Sequence, residues 1–195
     1  YLITNTTMNM DRLVIKQILG NEQVTQYYVV SLIGKTLVLL IAPINTIVIS
    51  CLTKRKERLT RSQFGKAVLA GGGVSLVFFV ACQIGTPLFV WLFYRNLYES
   101  VKGIVTVVNL AQILGLFSAF LFILVLTFTD ERWQLWIQLA HFCILLVSSV
   151  LAARTYGMMG FAVASLGANS LRVAAVVILG IVKAGKDKGD RNADR

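Results

Sequence analysis

From Ala67 to Tyr94 the chain carries no charged residue, and from Gly103 to Thr129 it carries none again. Trp133 to Ala153 is interrupted only by His141, Gln23 to Thr53 only by Lys35, and Thr155 to Val182 only by Arg172. Each run reaches the roughly 18–20 residues that an α-helix needs to cross the hydrocarbon core of a bilayer. The surface of a soluble domain calls for about 25% charged residues. Here 14% are charged and 56% hydrophobic. The runs predict an all-α, polytopic transmembrane helix bundle with five full spans. Residues 1–19 read as the end of a sixth, so that 1–183 form one transmembrane unit truncated at its N-terminus. The small, polar, charged stretch 184–195 reads as a disordered tail.

Short connectors separate the runs. Gly20-Asn21 reads as a helix stop followed by an N-cap, with Glu22 in the next first turn. Thr60 or Ser62 is positioned to cap the third helix. Asn96–Ser100, Asp130–Arg132 and Thr155–Gly157 read as tight turns. Pro43, Pro87 and the Gly71-Gly72-Gly73 run predict kinks or local unwinding inside spans. Cys51, Cys82 and Cys143 are isolated and read as small apolar fillers without metal-ligand spacing.

The net charge of +10 lies between apolar runs, which makes it a topology signal and not a nucleic-acid footprint. Lys54, Arg55, Lys56, Arg58, Arg61, Lys66, Arg132, Lys183, Lys186, Lys188, Arg191 and Arg195 fall on one side of alternating spans. Arg12, Lys16, Arg95, Lys102 and Arg154 fall on the other. The richer side, with the Lys54 loop and the C-terminus, is predicted to be cytoplasmic.

Two of the nineteen cations, Lys35 and Arg172, remain near the middle of spans. A charge there costs about 2.5–3.5 kcal/mol on insertion scales. At 100° per residue, Tyr28, Ser31, Lys35, Ala42 and Thr46 share one helix face. So do Ser165, Ala168, Asn169 and Arg172, and so do Gln134, Gln138 and His141. Asn109 and Gln112 lie a turn apart, and Gln83 and Thr86 precede Pro87. These stripes serve either interhelical hydrogen bonding or a water-filled cavity. The cavity candidates are Lys35, Arg172, Ser31, Thr46, Asn109, Gln112, Gln138 and His141. Lys35 is the strongest, because Asp11, the nearest acid, should lie toward the outer end of its helix. No nucleophile–histidine–acid set, paired carboxylates or phosphate-binding glycine loop occurs, so neither catalysis nor a cofactor or metal is expected.

The stretch NMDRLVIKQILGNEQVTQYYVVSLIGKTLVLLIAPINTIVIS, Asn9 to Ser50, resembles the start of the C-terminal half of Wzx-type polysaccharide flippases, in the multidrug/oligosaccharidyl-lipid/polysaccharide exporter superfamily. Asp11-Arg12, Gly20, Tyr27 or Tyr28, Lys35 and Pro43 follow that family's order. Ser50-Cys51 stands where many members have a Pro-Arg sequence. The resemblance implies two six-helix lobes around an alternating-access cavity in the bacterial inner membrane. This chain would be the second lobe, partnered by a missing N-terminal lobe and by membrane lipid. The implied substrate is an undecaprenyl-pyrophosphate-linked oligosaccharide, whose anionic head group Lys35 would meet in the cavity. Asp11 and Arg12 would serve ion binding or gating. Two alternatives stand beside it: a multidrug or small-molecule exporter of the same superfamily, and a polytopic subunit of a glycan-assembly complex.

Overall fold

The computed structural model describes residues 2–53, 60–126, 129 and 131–190. It is helical, with no strand among the described residues. The helices are α1 (Leu2–Leu19), α2 (Asn21–Thr53), α3 (Arg61–Phe93), α4 (Arg95–Val101), α5 (Val105–Leu126) and α6 (Glu131–Asp190). The lysine-rich loop 54–59, Asp130 and residues 191–195 lie outside the described residues. So do the side chains of Pro43, Cys51 and Gln134.

α6 is a hairpin. Gly157 at φ 61 and ψ −144 breaks the helical path. His141 meets Asn169 at 3.1 Å and Gln138 meets Arg172 at 2.9 Å, two pairs symmetric about residue 155. In a straight helix 28 residues would span about 42 Å. The arms α6a (131–156) and α6b (158–190) therefore lie side by side and antiparallel. Gly20 makes the corresponding reversal between α1 and α2. Its φ is +95, its N–H returns to the Ile15 carbonyl at 3.2 Å, and its own carbonyl receives the Val24 N–H at 3.3 Å.

α5 is apolar on every side, and such a helix belongs in the middle. Half of its residues are buried, among them Val108, Asn109, Ala111, Ile113 and Leu121. It packs against α2, α3 and α6. One core cluster joins Ile15, Tyr27, Val30, Val90, Val101, Val108, Ala153 and Phe161 at the end that holds Gly20, α4 and the Gly157 turn. A second joins Phe64, Leu121, Phe122, Val125 and Val176 at the opposite end. Cys82, Ile113 and Leu116 form a third between them.

The outer surface is hydrocarbon. Leu69, Leu76, Val77, Ile84, Leu88 and Leu92 on α3 are all more than half exposed, as are Leu135, Trp136, Val147 and Leu151 on α6a. Among the described residues, Arg61–Phe93, Val105–Leu126 and Leu135–Ala184 are long and apolar enough to cross a membrane, the last folded back on itself at Gly157.

Three local expectations change. Asn96–Ser100 is helix α4, not a turn, because Leu97, Tyr98 and Val101 recur at helical spacing and pack on the first cluster. α3 stays helical through Gly71–Gly73 and Pro87, and the backbone of α2 through residue 43, so no unwinding occurs there. α6 continues to Asp190, past Ala184, where the sequence predicts the start of a tail. Thr60 does precede α3, and its backbone N–H donates to the Gln63 side chain at 3.1 Å.

Candidate functional site

Lys35 lies about 21 Å along α2 from Asn21. Its ammonium donates to the Asp11 carboxylate of α1, and the two form an ion pair whose side chains are 23% and 12% exposed. This corrects the expectation that Lys35 lacks an acid. Asp11 is two turns below the end of α1, and antiparallel packing with α2 plus the reach of a lysine stem bring the charges together. Arg12 turns away and lies over the Tyr28 ring at 4.3 Å. Ser31 is buried and donates to the Tyr28 carbonyl at 3.1 Å. Thr46 is exposed.

Asn109, expected on a cavity wall, is enclosed instead. It has no exposed surface. Its Nδ2 donates to the Cys82 carbonyl at 3.1 Å and to Gln83 Oε1 at 3.0 Å. Its Oδ1 accepts from the Thr86 hydroxyl at 3.2 Å. Gln83 Nε2 adds a bond to Thr106 at 2.9 Å. This is a clamp between α3 and α5 with every Asn109 group in use, placed one turn before Pro87, whose ring removes one backbone donor from α3. Beside it a cleft of about 130 Å³ opens among Gln83, Pro87, Tyr98, Lys102 and Thr106. At its rim Glu99 accepts from Lys102 and holds that ammonium above the ordinary lysine range.

Gln112 faces α2. It lies against Gly34, where a Cβ would approach its side chain to 2.9 Å.

The third node joins the two arms of α6. Arg172 donates to Gln138 Oε1 at 2.9 Å and lies over the Phe122 ring of α5 at 5.4 Å. His141 Nε2 meets Asn169 Oδ1 at 3.1 Å, and Asn169 Nδ2 donates to the Ala111 carbonyl at 2.9 Å. Among the described residues no carboxylate lies within ion-pair distance of Arg172. Arg172 Nε and His141 Nδ1 are buried without a partner.

The polar residues therefore gather into separate nodes around α5. Asn169 and Thr106 are absent from the site expectations although both complete nodes. The signal was present for Asn169: reflecting the Gln138–His141 stripe through the Thr155–Gly157 turn lands on Arg172 and Asn169. No group of three or more His, Cys, Asp or Glu side chains suited to a metal occurs among the described residues.

Fold and nodes together define an α-helical bundle with the lengths and outward apolar surface of membrane spans and with its buried polar groups gathered at helix–helix seams. Comparison with known proteins finds no matching family model, no matching curated protein and no matching solved structure.

Proposed function

We propose that the chain is one lobe of a membrane transporter that carries an anionic, lipid-linked oligosaccharide across a bacterial plasma membrane. In this reading it has five full spans plus α1, and the Lys54 loop and C-terminus face the cytoplasm. The lipid stays in the bilayer while the head group crosses between this lobe and a partner lobe. The observation that carries the reading is Arg172. It sits about 21 Å from the start of α6b and about 16 Å from Lys183, with no carboxylate at ion-pair distance among the described residues. A charge held at that depth costs enough that it is rare outside substrate paths, and a phosphate-bearing head group offsets it. Lys35 contributes less than the sequence expects, because Asp11 already neutralises it. The Asp11–Lys35 pairing also weighs against export of cationic drugs, since the acid nearest the middle of the spans is engaged.

The test is export of lipid-linked glycan per molecule of protein, in cells whose surface glycan depends on it. Arg172→Lys is expected to keep much of the activity, Arg172→Gln to lose most of it, and Arg172→Glu to be worst, each at near-normal abundance. Full export by Arg172→Gln would refute the proposal.

A further inference from the structure

The two unpartnered nitrogens of the α6 hairpin, His141 Nδ1 and Arg172 Nε, are chemically complementary. Asn169 commits its Nδ2 to the Ala111 carbonyl, so the amide oxygen is the end that meets His141 Nε2. An amide oxygen only accepts, which places the proton of a neutral His141 on Nε2. Nδ1 is then a bare lone pair, whereas Arg172 Nε–H is a donor. The side chains belong to neighbouring rungs of one hairpin, a single helical turn apart. His141 is only 5% exposed, so bulk water does not reach its ring, and an unmet buried polar group costs about 1–3 kcal/mol.

We propose that His141 and Arg172 form a site for a small monovalent anion, occupied when His141 takes up a proton. With the ring neutral, one water serves both atoms, accepting from Arg172 Nε–H and donating to His141 Nδ1. A proton on Nδ1 turns both atoms into donors beside two positive charges. Water cannot offset that charge, but a small anion accepts from both donors and does. The surrounding elements supply no substitute. α5 has no ionisable side chain, and α6b brings Arg172 itself, its other ionisable groups, Lys183 to Asp190, lying about 16 Å or more further along the helix. α3 brings buried Cys82 and α6a exposed Cys143. α1 brings Lys16, Arg12, which lies over Tyr28, and Asp11, which is engaged by Lys35. Proton uptake and anion binding are then linked, and each strengthens the other by the same factor. This linkage holds whether or not the chain moves a glycan.

The chain has one histidine, so its imidazole nitrogens are read without ambiguity by NMR of protein labelled at histidine and placed in lipid nanodiscs. Chloride is the probe, with binding followed by chloride line broadening at about pH 4 and about pH 8, a span wide enough for an imidazole buried beside a guanidinium. The expected results are an Nε2–H tautomer in the neutral ring and chloride binding about tenfold tighter at the lower pH. Arg172→Gln and His141→Gln should each abolish the pH-dependent binding. Arg172→Lys, which keeps the charge should the glutamine variant fold poorly, should bind more weakly and retain the pH dependence. Equal affinity at both pH values, no chloride binding at either, or a neutral ring protonated on Nδ1 would each overturn the site.

Discussion

Replacing Asp11 by asparagine removes one charge and leaves the other in place. In the folded chain the Lys35 ammonium rests on that carboxylate, at a depth where neither helix end is close. Breaking one partner of a buried ion pair costs about 3–5 kcal/mol, and a lone lysine at mid-span costs about 2.5–3.5 kcal/mol on insertion scales. The side chains retain 23% and 12% exposure, which screens part of the loss, so about 2–3 kcal/mol is the reasoned value. Lys35→Met should cost a similar amount by stranding Asp11. The double variant Asp11→Asn/Lys35→Met should recover most of the loss, because neither charge is then left alone. The assay is unfolding of the reconstituted chain in mixed micelles, followed by tryptophan emission and assembled into a double-mutant cycle. With single losses of about 2–3 kcal/mol each and most of the loss recovered in the double variant, a coupling energy of about 3–4 kcal/mol is expected. Additive single losses, with coupling below about 0.5 kcal/mol, would refute the argument that the two groups stabilise each other.

Asn109→Leu should lower stability by about 1–2 kcal/mol, since it cancels three interhelical bonds worth roughly 0.6 kcal/mol each and strands Thr86 and Gln83; the same unfolding titration checks it. Gly157→Ala should cost about 1–3 kcal/mol. A Cβ there meets nothing within 4 Å, so the whole loss is backbone strain at φ 61 and ψ −144. A neutral result would show that the hairpin turns elsewhere.

Helix positions were legible because charge marks the ends of spans. The charge-free run Ala67–Tyr94 lies inside or just past Arg61–Phe93, and Gly103–Thr129 encloses Val105–Leu126. α4 was not legible, since seven residues give too short a period to separate a helical turn from a loop. Polar faces were legible as faces, but their partners were not. Periodicity places Lys35 and Asp11 on their own helices and says nothing of how far one helix slides along another. A slide of one turn, about 5.4 Å, separates an ion pair from two isolated charges. Asn109 illustrates the same gap. An amide in a span reads identically whether it lines water or bonds a neighbour, and only the enclosed Cys82 carbonyl and the Gln83 and Thr86 side chains decide it.

The cations in the middle of α2 and of α6b have opposite surroundings. Between helices in lipid there is little hydrophobic drive, so small residues and polar bonds set the contacts. Asp11–Lys35 and the Asn109 clamp suit such cohesion, because donors meet acceptors and charge meets charge. The Arg172 node suits it poorly. Its guanidinium is held by a neutral amide and an aromatic face, and two nitrogens in the node stay unmet. A seam built only for cohesion gains from a glutamate at residue 138, which would pair with Arg172, or from leucine at both positions. Glutamine does neither: it orients the guanidinium, and no carboxylate among the described residues pairs with it. An uncompensated charge in hydrocarbon is useful where something anionic arrives and leaves again, because a fixed carboxylate would compete with it.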